Sequence, residues 1–170
     1  MTSGREVYRG APTAALRYPA SMAEEAAVRV RLARRGDEDE VARFAEAFDN
    51  RVLGDETTRF LDDDRHILLL GYVGDRPAGF VSAVEVFHPD KQSELFLNEI
   101  GVMQRDRRRG VARALIDELR RVGHDLGCVG MWVLTDETNT AAMNLYASTG
   151  GTWNGDRQVM FEYDLTERSG

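Results

Sequence analysis

Seven arginines and three acids fall between Gln104 and Arg121, in QRDRRRGVARALIDELRR, a net charge of +4 in a chain whose total is −7. Everything outside that stretch therefore sums to −11. A positive cluster around a single Gly110 fits three uses: a nucleic-acid patch, a phosphate cradle or a solvated helix face. The spacing Arg107-x-x-Gly110-x-Ala112 bears on the choice. A glycine that opens a helix lets backbone approach an anion, and Ala112 keeps the first turn unobstructed. The first N–H groups of a helix are unpaired and carry the positive end of its dipole, which suits a pyrophosphate. The spacing alone is common by chance and leaves the three readings open. Carboxylates are the second resource. Glu99 interrupts the apolar run SELFLNEIGVM, where burial would raise its pKa towards base work. Asp136 follows the apolar run CVGMWVLT. Glu85 lies on an apolar strand leading to FHPDKQ. Asp63 sits in the run Asp62–Asp64, and charge runs are usually solvated faces.

The elements that must position these residues follow from periodicity. VRVRLA, residues 28–33, alternates as an edge or half-buried strand. Asp37 and Glu40 have capping-box spacing, and Val41, Phe44, Ala45, Phe48 and Val52 predict one amphipathic helix behind them. Residues 67–87 read as a hairpin whose turn lies in GDRPAG. In the next strand Leu95, Leu97 and Glu99 are placed on one face and Phe96, Asn98 and Ile100 on the other, with a bulge near residues 99–101. Residues 110–126 form a strong helix with Val111, Ala112, Leu115, Leu119, Val122 and Leu126 as its stripe, ended by Gly127. Residues 128–135 are a strand. NTAAMNLYASTG is a helix capped by Asn139 and stopped at Gly150. QVMFEYDL, residues 158–165, alternates as a last strand. The class is α/β, hairpin-rich first and βαβα afterwards. Residues 1–27 lack clear periodicity and are expected to be a flexible extension, with a short helix near 22–27. The folded domain is expected over residues 28–166.

At 170 residues, 42% hydrophobic and 30% charged, the chain is expected to build one globular core. No apolar run approaches a membrane span, and the first residues lack the apolar segment of a secretory signal. A single cysteine, Cys128, excludes an internal disulfide and a cysteine-cluster metal site, and the three histidines show no ligand spacing. No metal, no membrane and a reducing cytoplasm are expected. The acidic balance argues against non-specific nucleic-acid binding and favours a cationic or small-molecule partner.

Two motifs in order, separated by a strand, resemble the Gcn5-related N-acetyltransferase (GNAT) superfamily: NEIGVMQRDRRRGVARALIDEL, and the block Asn139, Ala142, Leu145, Tyr146 and Gly150. The resemblance runs from about Val28 to Leu165. It implies a mixed, mostly antiparallel central sheet with splayed strands and flanking helices, and acetyl-CoA as donor. Backbone N–H groups of Arg108, Arg109, Gly110, Val111 and Ala112, with Arg113 following, would hold the pyrophosphate. The strand at Ile100, Gly101, Val102 and Met103 would pair with the pantetheine arm. Asn139 would touch that arm, and Tyr146 would lie near the thioester sulfur as general acid. Direct attack by an amine is the family's usual route, with Glu99 as first choice of base and Asp136 as second. Within the superfamily, SAVEVFHPDKQSELFLNEIGV and VLTDETNTAAMNLY look like type I aminoglycoside 3-N-acetyltransferases. The implied acceptor is then a polycationic aminoglycoside, met by Glu85, Glu99, Asp136 and Asp63, and resistance would follow. A polyamine, a small metabolite or a peptide amine remains the alternative, and a homodimer is the family expectation.

Overall fold

The computed structural model describes residues 27–157 and 159–165. The expected extension at 1–27 and its short helix therefore fall outside the described residues, save Ala27. Five strands form one sheet in chain order: β1 Val28–Leu32, β2 His66–Val73, β3 Arg76–Val86, β4 Glu94–Val102 and β5 Met131–Val133. The first four pair antiparallel, and β5 joins β4 in parallel. Parallel neighbours need a crossover, and here it is the helix α3, Val111–Asp125. The expected mixed sheet is the observed one.

Each face of the sheet has its own core. On one, α3 lays Val111, Leu115, Ile116 and Leu119 against Ile67, Leu69, Val81, Ala83, Leu95 and Leu97. Close approach is built in: a Cβ on Gly123 would meet Leu95 Cδ1 at 2.6 Å. The helix ends in a Schellman motif. Cys128 N–H donates to Gly123 O at 2.9 Å and Gly127 N–H to His124 O at 3.0 Å, with Gly127 left-handed at φ 80°. Its expected stripe is corrected at two places. Leu126 stands beyond the sheet and is exposed, and Ile116 takes a buried place instead.

On the other face the single helix expected after Asp37 is replaced by three pieces. They are α1 (Glu38–Ala42), a 3₁₀ turn (Ala45–Ala47) and α2 (Gly54–Asp62). Tertiary packing overrides the periodicity. The break lets Phe44 meet Tyr72 edge-on at 5.3 Å and Phe48 stack on Phe80 at 3.7 Å. The capping box does not form, because the Asp37 carboxylate accepts from the Arg31 guanidinium and the Arg34 N–H.

Two further expectations are corrected. β5 is three residues rather than eight. Irregular bonds extend its contact backwards, Val129 N–H to Ser93 O at 3.0 Å and Leu95 N–H to Gly130 O at 2.9 Å. Residues 159–165 are not a strand, and Val159, Met160, Phe161, Tyr163 and Leu165 stand exposed; Gln158 falls outside the described residues. Alternation makes a segment fit to be a strand but does not supply the edge that would pair with it.

Candidate functional site

A bulge decides which face each residue of β4 uses. Leu97 pairs with Ala83 and Glu99 with Ser82, so Asn98 is the extra residue. One added residue inverts the alternation beyond it. Leu95 and Leu97 face α3, and after the bulge Ile100 and Val102 take over that face. Glu99, Gly101 and Met103 turn to the side of α1 and α2. Glu99 is thus not on the Leu95–Leu97 face, as simple alternation required, and the bulge falls one residue earlier than expected. Gly101 is needed there, since a Cβ would stand 2.1 Å from the Ala47 carbonyl oxygen. Just past Ala47, the Asp49 N–H donates to Glu99 Oε1 at 3.5 Å. Burial pushes the half-buried Glu99 carboxyl up, against a smaller downward pull from that N–H.

The same strand opens a gap. β4 pairs with β5 only at Leu95–Met131, Phe96–Trp132 and Leu97–Val133. From Asn98 to Val102 β4 continues with no strand on that side among the described residues. The two strands therefore part where Glu99 begins, which is the splay the resemblance implied. Next to it, on the α3 side, lies a cleft of about 870 Å³ walled by Leu97, Ile116, Met131, Val133 and Tyr146, with Asp136 at its rim. Tyr146 is half-buried, and burial pushes its phenol up, so it stays protonated. Its hydroxyl makes no hydrogen bond among the described residues. Asp136 is exposed and accepts from Thr138 N and Thr138 Oγ1 at 2.7 and 2.6 Å, which hold its carboxyl low. An acid already satisfied and ionised in this way suits holding an ammonium better than removing a proton.

Strand β4 leads through the 3₁₀ turn Gln104–Asp106 into α3. The connecting loop holds two left-handed residues: Gly110 at φ 81° and Arg108 at φ 60°, which no other non-glycine among the described residues matches in having a positive φ. Left-handed backbone costs a residue with a Cβ about 1–2 kcal/mol. Left-handed residues on both sides of Arg109 are the kind of backbone from which anion nests are built. The N–H groups of residues 108–113 make no hydrogen bond among the described residues. A Cβ on Gly110 would meet nothing within 4 Å, so the space before the helix is open. This arrangement fits a pyrophosphate.

The arginines of the stretch divide by partner. Arg105 pairs with Glu46 at 2.7 Å, Arg107 donates to Val102 O at 3.4 Å, and Arg113 donates to Ser148 O at 2.9 Å. Arg121 pairs with Glu118 and Asp125 on the outer face of α3. Arg109 turns inward to Asp106 at 3.3 Å. Arg108 makes no side-chain bond among the described residues and is exposed beside the loop. Asp106 itself was missed by sequence reasoning. It is fully buried, accepts a fork from Arg76 and is held low by it. Only its place as the one acid amid arginines could have marked it.

The remaining expected residues are scattered. Asn139 caps α4, Thr140–Ser148, by accepting from Ala142 N at 3.1 Å, as its position predicted. Its amide nitrogen makes no hydrogen bond among the described residues. Glu85 lies on the α3 side, 3.9 Å from Cys128 Sγ, so it is not brought together with Glu99. Asp63, at the α2–β2 junction, is paired with Arg65 at 2.6 Å and pulled low by it; no contact links it to Glu99 or Tyr146. Among the described residues no group of His, Cys, Asp or Glu could hold a metal, and no helix is long and apolar enough to cross a membrane.

The splayed sheet, the glycine-led helix and the Asn139–Tyr146 helix together define an acyltransferase architecture, and residues 26–150 match the model of the acetyltransferase (GNAT) family. The chain belongs to that family. No curated protein sequence matches it. Among solved structures it is similar to an aminoglycoside acetyltransferase, HMB0005, from an uncultured soil metagenomic sample, at 26% identity and TM-score 0.66, with 84% of this chain and 99% of that one covered. It also resembles AAC(6')-Iy in complex with a CoA-S-monomethyl-acetylneamine bisubstrate analogue, at 19% identity and TM-score 0.70, covering 81% and 99%. A ribosomal-protein-alanine N-acetyltransferase from Brucella melitensis biovar Abortus 2308 has 20% identity and TM-score 0.66, covering 81% and 100%. The last two likenesses, below 25% identity, concern the fold.

Proposed function

We propose that this chain is an acetyl-CoA-dependent N-acetyltransferase acting on an amino group of an aminoglycoside, the 3-amino group in particular, and so able to confer resistance. One observation carries the donor half. The run of β4 from Asn98, whose β5-side edge has no strand partner among the described residues, leads into a loop whose N–H groups at residues 108–113 are free of partners among the described residues. Ile100, Gly101, Val102 and Met103 would flank the pantetheine arm, and the N–H groups of Arg108 to Arg113 would hold the pyrophosphate. AAC(6')-Iy, which shares the fold, binds a bisubstrate analogue built on CoA, and this supports CoA as the donor here.

Glu99 and Tyr146 lie on opposite faces of the sheet, and the parting of β4 from β5 is where those faces communicate. A thioester in the gap would meet an amine from the Glu99 side. Glu99, with its raised pKa, takes the ammonium proton, directly or through water. The amine nitrogen bonds to the thioester carbonyl carbon and the C–S bond breaks. Tyr146 returns a proton to the departing sulfur, and no acyl-enzyme forms. Asp136 holds a second ammonium of the acceptor at the rim.

The acceptor half rests on charge and on the segment resemblance. A chain carrying −11 outside Gln104–Arg121 steers a polycation towards it. The likeness to HMB0005 supports the same class. The homodimer belongs to this reading too, supported by the outer edge of β5, which no strand among the described residues covers, and the exposed apolar side chains at 159–165. So does a reducing, cytoplasmic setting for the lone Cys128. A peptide N-terminus is the second reading, favoured by the likeness to the ribosomal-protein-alanine enzyme. Steady-state CoA release with gentamicin, spermidine and an alanine-initiated peptide separates them, and NMR of the product fixes the position. Absence of turnover with every aminoglycoside would remove the leading reading.

A further inference from the structure

Asp106 belongs to neither half of the proposed reaction, yet it is the most completely buried acid in the described chain. Its side chain is 0% exposed and accepts from both terminal nitrogens of Arg76, one of them at 2.8 Å. Arg76 begins β3, next to the β2–β3 turn. The Asp106 N–H donates to Met103 O at 2.8 Å, and Met103 N–H donates to Ala78 O at 2.9 Å, so the start of the loop is tied to the same strand. Arg109 Nη1 then reaches Asp106 Oδ1 at 3.3 Å from the far side of Arg108. One buried carboxylate thus joins β3 to both ends of the loop that contains the left-handed Arg108. A left-handed non-glycine residue persists only where its surroundings over-determine it.

We propose that Asp106, seated by Arg76 and holding Arg109, is the positioning residue that keeps the Arg108–Gly110 loop in its anion-accepting shape. The inference rests on the reading of that loop as the CoA pyrophosphate site. It assigns the arginine cluster a division of labour. Arg76 and Arg109 act through Asp106 and shape the backbone. Arg108, left without a side-chain partner among the described residues, is available to the donor's phosphates. Isolated arginine contacts to a phosphate would add independently. Arginines acting through one acid should not.

The test is a cycle on the full chain, with CoA binding read by calorimetry and acetylation read at saturating acceptor. Asp106→Asn keeps the shape and removes the charge that seats Arg76 and Arg109. It should raise the CoA Kd and the acetyl-CoA KM by roughly 5- to 30-fold, the left-handed strain expressed as an equilibrium ratio. The kcat at saturating donor should stay within about twofold, because no reacting atom is touched. Arg109→Ala should weaken CoA binding in the wild-type background and add nothing on Asp106→Asn. Additive losses would mean that Arg109 grips phosphate by itself, and that would overturn the proposal. So would a folded Asp106→Asn with wild-type CoA affinity, or a fall in kcat with KM unchanged. If Asp106→Asn does not fold, Arg76→Lys takes its place in the cycle, since it keeps the charge but breaks the fork. Wild-type protein that binds no CoA would sink the pyrophosphate reading and this inference together. Tight wild-type binding with an insensitive Asp106 would sink the inference alone.

Discussion

Gly101→Ala tests how the Glu99 face is assembled. An added Cβ would lie 2.1 Å from the Ala47 carbonyl oxygen and 2.7 Å from Phe80 Cε1. Neither neighbour can swing aside. One is backbone, and the other is a ring stacked on Phe48 at 3.7 Å between centroids. The Ala45–Ala47 turn must therefore lift by roughly 1–1.5 Å to restore ordinary contact. Overpacking of this kind costs about 1–3 kcal/mol. For a domain of this size each kcal/mol moves the melting temperature by about 2–4 °C, so a fall of roughly 2–12 °C is expected. The turn also leads to Asp49, whose N–H reaches Glu99 at 3.5 Å. Its displacement should lower acetylation. Gly110→Ala is the control. It meets no atom within 4 Å but has φ +81°, so its cost of about 1–2 kcal/mol is backbone strain alone, and its effect should fall on CoA binding. Scanning fluorimetry with urea titration measures the first effect, and calorimetry with CoA the second. A Gly101→Ala melt within about 1 °C of wild type would refute the argument, because the turn could not then be seated on β4.

Glu99→Gln should lower kcat by about 10²–10⁴ and abolish the acidic limb of the pH–rate profile. The linkage sign is also fixed: burial raises the folded pKa, so Glu99 stabilises the fold most below its unfolded pKa and loses that contribution as pH rises through the folded one. The variant should accordingly melt no lower than wild type at pH 8, and a clear drop there would contradict the burial argument. Tyr146→Phe removes a hydroxyl without a hydrogen-bond partner among the described residues, so stability should hold while kcat falls about 10²-fold. Equal turnover by pre-steady-state CoA release would take Tyr146 out of the chemistry. Asn139→Ala removes the acceptor for Ala142 N–H and should cost about 1 kcal/mol in urea unfolding. Asn139→Asp should restore it, and failure to do so would mean that capping is not the residue's stabilising role.

Part of this was legible in the sequence because it is local. A glycine ahead of a strong apolar stripe starts α3 at Val111, and a glycine behind it closes the helix; the physics lies within a few residues of each end. Asn139 ahead of Thr140 caps α4 for the same reason. The hairpin with its turn at residues 74 and 75 also follows from alternation and turn chemistry. Other features depend on partners far along the chain. The helix expected after Asp37 breaks because Tyr72 and Phe80 offer better seats to Phe44 and Phe48 than a straight helix could reach. The alternation of residues 159–165 names two faces but no neighbour, and they stand exposed.

By itself, then, the sequence determined the family, the helix that opens on Gly110 and the gathering of positive charge into Gln104–Arg121 within an acidic chain. Tertiary structure alone decided where the chemistry points. Asn98 bulges against Ser82 and Ala83, and that one extra residue turns Glu99 from the α3 side to the side of Asp49. Likewise only the fold brings Arg76 to Asp106, thirty residues on, and makes a buried anchor of an acid that in the sequence is one charge among many. Strand parity is a sum over every residue before it, and burial is a property of what lies opposite, so neither can be read from a residue's own neighbours.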